Sequence, residues 1–138
     1  MNHYQILASA SEEQLNHLAS LILEEYTAIQ VRLLSGPQRG LVMLRVRESV
    51  ANSLFNAGEV LVTEVKLELD GQFGYGMVIG DSPRRAMAIA LVDAVLRKGE
   101  RIARQIEHEL AAIQQQIKSN NQRMFNAAAT TRVDFEIL

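Results

Sequence analysis

The stretch from Val60 to Ile79 constrains this chain more than any other, because its pattern fits two strands joined by a tight turn. From Val60 to Leu69, one face carries Leu61, Val65, Leu67 and Leu69, with Thr63 as the polar exception. The other face begins with Val60 and Val62 and turns charged at Glu64, Lys66 and Glu68. A period of two, rich in β-branched residues, is the signature of a half-buried strand. Asp70-Gly71 then supplies the positive φ angles that a two-residue hairpin turn requires. The returning strand sets Phe73, Tyr75, Met77 and Ile79 against Gln72, Gly74, Gly76 and Val78.

The hairpin feeds directly into a helix. Gly80-Asp81-Ser82-Pro83 is a start signal in which Ser82 is expected to cap and Pro83 to occupy the first helical position. From Ala86 to Leu96 nearly every residue is apolar, with Asp93 the exception. A helix apolar all round needs cover on several sides. The sheet is expected on one side, and a partner chain is a candidate for another. Gly99 ends this helix, and Glu100 to Lys118 gives an amphipathic one with Ile102, Ile106, Leu110, Ile113 and Ile117 as its stripe. That stripe suits a core-covering helix or a coiled-coil seam. Residues 119–131 are polar and alanine-rich and read as a linker or frayed helix, and Arg132 to Leu138 alternates as a last strand.

Upstream, Ser11 and Gln14 form a capping-box pattern, with Glu12 and Glu13 in the favourable first turn. Leu15, Leu18, Ala19 and Ile22 follow at helical spacing. Ile29, Val31 and Leu33 predict a short strand ending at Ser35-Gly36-Pro37, in a loop that runs to Gly40. Leu41 to Val46 predicts another strand, and Glu48 to Asn56 a loop or helical turn. The expected fold is therefore one α+β domain over residues 1–138. It places an N-terminal helix in 1–25, antiparallel strands in 26–80, a helical segment in 81–118 and a final strand in 131–138. The sheet would have about four or five strands, packed with the N-terminal helix and two C-terminal helices.

Composition excludes several classes. At 48% hydrophobic residues the chain has the means to build a core, and a net charge of −2 argues against a nucleic-acid binder. Cysteine is absent, which removes disulfides and thiolate chemistry together. No apolar run is long enough to suggest a membrane span, and Met1-Asn-His-Tyr-Gln5 lacks the character of a signal peptide. A cytoplasmic location is the expectation.

Chemistry is sparse. His3, His17 and His108 lie far apart, without the one-turn spacing that builds a helical metal site. Neither a nucleophile elbow nor a phosphate-loop signature is present. Gly74 and Gly76 fall inside a strand rather than in the turn after one, so they suit close helix packing better than dinucleotide binding. Arg84 and Arg85 occupy a helix first turn, where cations are disfavoured. A bound phosphate or phosphonate, an acidic partner, or a solvated pair would each account for them. Glu59, Asp93 and Asp134 are isolated acids that read as partners for backbone or arginine groups. No catalytic residue and no metal ligand is assigned. Glu59, Arg84 and Arg85 stand as candidates for ligand or partner contact.

An ordered set of segments carries a family resemblance. These are Gly40-Leu-Val-Met-Leu-Arg45, Phe55-Asn-Ala-Gly-Glu59 with Val62-Thr63-Glu64, and Gly74-Tyr-Gly76 with Val78-Ile-Gly80-Asp81. Arg84-Arg85-Ala86 leading to Ala90-Leu-Val-Asp93-Ala94, and Ala129-Thr-Thr-Arg132-Val133-Asp134-Phe135, complete it. Together they resemble PhnG, a subunit of the bacterial carbon–phosphorus lyase system. The family usually continues past the Val-Asp-Phe segment, whereas this sequence stops at Leu138.

The resemblance implies a subunit that acts with PhnI, PhnH and PhnL partners. Together these displace adenine from ATP by methylphosphonate, giving α-D-ribose 1-methylphosphonate 5-triphosphate. It implies that PhnI carries the nucleosidase chemistry and pairs with this subunit, that PhnJ later cleaves the carbon–phosphorus bond, and that the complex uses MgATP. No cofactor is expected on this subunit alone, and no catalytic residue transfers from the family to a position here. A homodimer is conceivable for the isolated chain. The rival reading is a self-associating scaffold or small-ligand module unrelated to phosphonates.

Overall fold

Three antiparallel strands, each paired with the next in chain order, form the only sheet among the described residues. The computed structural model describes residues 2–47, 50–51 and 53–137. In chain order the elements are α1 (His3–Ser9), α2 (Glu12–Glu25), a 3-10 turn (Ala28–Gln30), β1 (Val31–Arg47) and β2 (Leu54–Leu69). Then come β3 (Gln72–Ile79), α3 (Pro83–Lys98) and α4 (Arg101–Ile137). The hairpin forms where expected, with Leu69 opposite Gln72 and positive φ at both Asp70 (48°) and Gly71 (84°).

The sheet has three strands, fewer than the four or five expected. The two strands predicted on either side of Ser35-Gly36-Pro37 are one continuous β1. Register shifts at Leu33/Ser35 and Ser35/Gln38 absorb the Gly-Pro step as bulges. An outer strand tolerates such a proline because its missing N–H need not join a ladder. Ile29 falls in the 3-10 turn instead of the strand. Of the predicted loop, Leu54 onward belongs to β2, Val50 and Ala51 lie in a turn, and Glu48, Ser49 and Asn52 lie outside the described residues.

The helices also depart from the forecast. The N-terminal helix is two helices, broken at Ala10, whose extended backbone leads to Ser11. Ser11 and Gln14 make the predicted capping box, and Asn2 with Gln5 makes a second one for α1. The Ser82 side chain accepts no capping hydrogen bond from α3, and Pro83 does start the helix. The expected final strand takes another form, since residues 131–137 continue α4 and Leu138 lies outside the described residues. No Gly or Pro interrupts the sequence after Gly99, so nothing local stops the helix.

α3 lies across the sheet at close range. A Cβ on Gly74 would collide with the Ala90 carbonyl, and one on Gly76 with the Ala86 carbonyl. The two glycines thus serve helix packing. On its other sides α3 is covered by α2 and α4, so Leu91, Val92 and Val95 are buried within this chain without a partner. The α4 stripe Ile102, Ile106, Leu110 and Ile113 is buried in the same core.

Uncovered apolar surface appears elsewhere. β3 pairs with β2 only from Val62 to Leu69. Beyond it, residues 41–47 of β1 and 54–61 of β2 continue as a two-stranded arm. Leu41 (66% exposed), Val42, Met43 and Leu61 lie bare along it. In α4, the described side chains past Ile117, residues 118–127, are all exposed as well.

Candidate functional site

Thr63, the polar exception on the inward face of β2, is fully buried and organises the corner between β3 and α3. Its hydroxyl donates to the Gly80 carbonyl at 2.6 Å and accepts the Ser82 N–H at 3.0 Å. The start of α3 is thereby fixed by a strand residue in place of a side-chain cap. That orientation decides where Arg84 and Arg85 go.

The two arginines part company. Arg85 turns toward α1, where its Nη2 donates to the Ala10 carbonyl at 3.1 Å, at the end of that helix. A cation there complements the negative end of the α1 dipole and occupies an unpaired carbonyl. Its Nε is buried with no hydrogen-bond partner among the described residues. Arg84 is exposed and borders an apolar groove of about 290 Å³, lined by Ala19, Leu23, Pro37, Met87 and Leu91 among others. Glu59 sits apart from both, on the arm of β2 opposite Met43. The three candidate contact residues therefore do not converge on one site.

Asp93 does gather partners. Buried in α3, it accepts the Tyr75 N–H at 2.9 Å, the Tyr4 hydroxyl at 2.7 Å and Arg97 Nε at 2.9 Å. The Tyr4 hydrogen bond and the Asp93 charge raise Arg97 above the usual guanidinium value. Its guanidinium also lies 6.0 Å from the Phe73 ring centre. Both carboxylate oxygens are engaged by donors from three elements, which is the arrangement of a structural tie, as the sequence suggested.

The tyrosines behave similarly. Burial first, and then the hydrogen bond to Glu100, push the Tyr26 hydroxyl up to about 12. Burial and the hydrogen bond to Glu64 do the same for Tyr75, also to about 12. Among the described residues, no three His, Asp or Glu side chains gather to hold a metal. His17 lies 3.7 Å from Glu109 on the surface. No helix of the described residues is long and apolar enough to cross a membrane.

Sequence reasoning missed the arm because each half, taken alone, looks like an ordinary strand. The signal was there in Leu41, Val42 and Met43, three consecutive apolar residues that a one-faced strand would not need.

Comparison with known proteins bears on the whole chain. The family model described as "Phosphonate metabolism protein PhnG" matches residues 1–138. A protein of Rhizobium meliloti (strain 1021), the "Alpha-D-ribose 1-methylphosphonate 5-triphosphate synthase subunit PhnG", is 32% identical over 108 residues. The alignment covers 77% of this chain and 68% of that relative.

Proposed function

The chain belongs to the PhnG family of phosphonate metabolism proteins, and on that premise we propose that it is a subunit of the α-D-ribose 1-methylphosphonate 5-triphosphate synthase. In this reading it works in the cytoplasm with PhnI-, PhnH- and PhnL-type partners, and beside the PhnJ-type subunit of the later step. The reaction breaks the bond between ribose C1′ and adenine N9 of ATP. A phosphonate oxygen forms the new bond at C1′, and adenine leaves with a proton.

The single observation that carries this reading is the family match along the entire chain. The site adds a physical reason for a supporting role. Asp93 is occupied by three structural donors, and the candidate residues Glu59, Arg84 and Arg85 do not converge. In this reading the complex uses MgATP, which the other subunits hold. The exposed arm is the natural surface for the PhnI-type subunit, since a two-stranded ribbon is marginal in water on its own. Glu59 and Arg84, both exposed, are then contact residues for partner or ligand.

The test is co-expression with PhnI-, PhnH- and PhnL-type subunits, followed by product analysis with ATP and methylphosphonate. Addition of this chain should yield ribose 1-methylphosphonate 5-triphosphate and adenine. If the partners give the same product without it, or the chain elutes alone as a homo-oligomer, the subunit reading fails.

A further inference from the structure

α4 helps cover the core only as far as Ile117. From Lys118 to Ala127 its described side chains are exposed, with Met124 at 71% and Phe125 at 69%. That half of the helix gains little from packing and depends on local propensity, and Asn120, Asn121, Asn126, Thr130 and Thr131 are weak helix formers. Beyond them, Val133, Phe135 and Ile137 alternate with Arg132, Asp134 and Glu136. This is a period-two run of β-branched and aromatic residues, the pattern of a strand, at the end of an uncovered helix.

The exit point of this tail lies close to an open sheet edge. Gln116 accepts from Gln14 at 2.8 Å, three residues past the Ser11 cap of α2. The neighbouring Ala10 carbonyl holds Arg85, and Arg85 lines a hollow of about 280 Å³ with Ala8, Met77 and Ile79. A second hollow of about 400 Å³, between α1 and Met77, continues it toward Tyr75. Gly80 donates to the Leu61 carbonyl of β2, so residues 75, 77 and 79 turn their main-chain groups the other way, to the free edge. Asp93 takes the Tyr75 N–H, whereas no described residue takes that of Met77 or Ile79.

We propose that residues 132–137 of this chain form a second state in which they leave α4 and pair with β3 as the fourth strand of the sheet. The 14 residues of 118–131 extend to about 45 Å, ample for the few residues of protein between Gln116 and Ile79. A tail arriving from that side enters at Ile79 and runs toward Tyr75, antiparallel to β3. Main-chain bonds at Met77 and Ile79 hold it, and its apolar residues fill the two hollows. The body of the fold, including α4 through Ile117, is unchanged. A second copy pairing through Met77 and Ile79 would compete for this edge, and the tether decides between them. A strand on so short a linker is present at about millimolar effective concentration, which a free copy at micromolar levels does not match. The inference concerns this chain alone and does not rest on the subunit role.

Hydrogen exchange and nuclear magnetic resonance on the isolated chain test it. Carbon chemical shifts of residues 132–137 should be those of a strand. The Met77 and Ile79 amides should exchange about tenfold more slowly in the unaltered chain than in Val133→Asp with Phe135→Asp, equally across about a tenfold range of protein concentration. Both substitutions lie past the part of α4 that joins the core, so the variant keeps its body folded. Fast exchange at both amides in the unaltered chain overturns the proposal. Protection that grows with concentration assigns the edge to another copy and overturns it too. So does protection that survives the double variant, or a tail whose shifts are helical. Each of these outcomes leaves the subunit role standing.

Discussion

The Tyr75 N–H donates to Asp93 Oδ2 at 2.9 Å, tying the outer edge of the sheet to the middle of α3. The same carboxylate holds Tyr4 of α1 and Arg97 one turn further along α3, so one buried side chain joins three elements. Asp93→Asn keeps the shape and offers one oxygen where three donors converge. It should lower stability by about 1–3 kcal/mol, read from urea unfolding with an unchanged m-value, and should speed exchange of the Tyr75 amide. A loss below about 0.5 kcal/mol would mean the tie is dispensable.

Gly76 and Gly40 make opposite predictions for the same substitution. A methyl at 76 meets the Ala86 carbonyl and the Ala90 backbone of α3, which cannot yield without lifting the helix. Gly76→Ala should therefore cost about 1–3 kcal/mol. Gly40, at the base of the arm, has nothing within 4 Å of an added Cβ. Gly40→Ala should leave the melting curve nearly unchanged or raise it slightly, by reducing the freedom of the unfolded chain. Equal effects at the two sites would contradict the packing described here.

Much of this fold was legible in the sequence, for physical reasons. Asp70-Gly71 between two period-two runs leaves little besides a hairpin, and Ser11 with Gln14 marks the start of α2 by chemistry local to four residues. The Gly74 and Gly76 spacing signalled a helix crossing at short range. What escaped depends on contacts distant in sequence. The Gly36-Pro37 step reads as a turn, yet pairing with β2 carries the strand through it. Thr63 looks like a flaw in an apolar face until Gly80 and Ser82 close around it. Arg84 and Arg85 look like a pair in sequence, but Ala10 claims one of them. The covering of α3 was assigned partly to a partner, whereas α2 and α4 supply it.

Tyr26 and Tyr75 give the protein an alkaline limit. Both hydroxyls are held up to about 12 by burial and by hydrogen bonds to Glu100 and Glu64, against an ordinary tyrosine value of 10.0. A raised acid keeps its proton in the folded state when the unfolded chain has lost it. The contribution is thus whole below pH 10.0 and is lost as pH rises toward about 12. Stability should fall across that window, and ultraviolet titration should show these phenols ionising late. The double variant Tyr26→Phe, Tyr75→Phe should flatten the decline. If it falls as steeply as before, other groups set the limit.

The arm offers the clearest separation of stability from assembly. Leu41 faces Leu61 across the ribbon, Met43 faces Glu59, and both apolar side chains are largely exposed in the isolated chain. Replacing them by serine removes little that the isolated fold uses, so Leu41→Ser with Met43→Ser should shift its stability by no more than about 0.5 kcal/mol. Burial against a PhnI-type partner would stabilise the complex by about 1.5–3 kcal/mol for each side chain. The double variant should then weaken that complex by about a hundredfold or more, as read by titration of the purified partners. Ile29→Ser is the control, since Ile29 is 95% exposed but lies in the 3-10 turn at the far end of β1. It should leave affinity unaltered. If the arm variant binds as tightly as the control, the partner seats elsewhere, and the apolar ribbon needs another explanation.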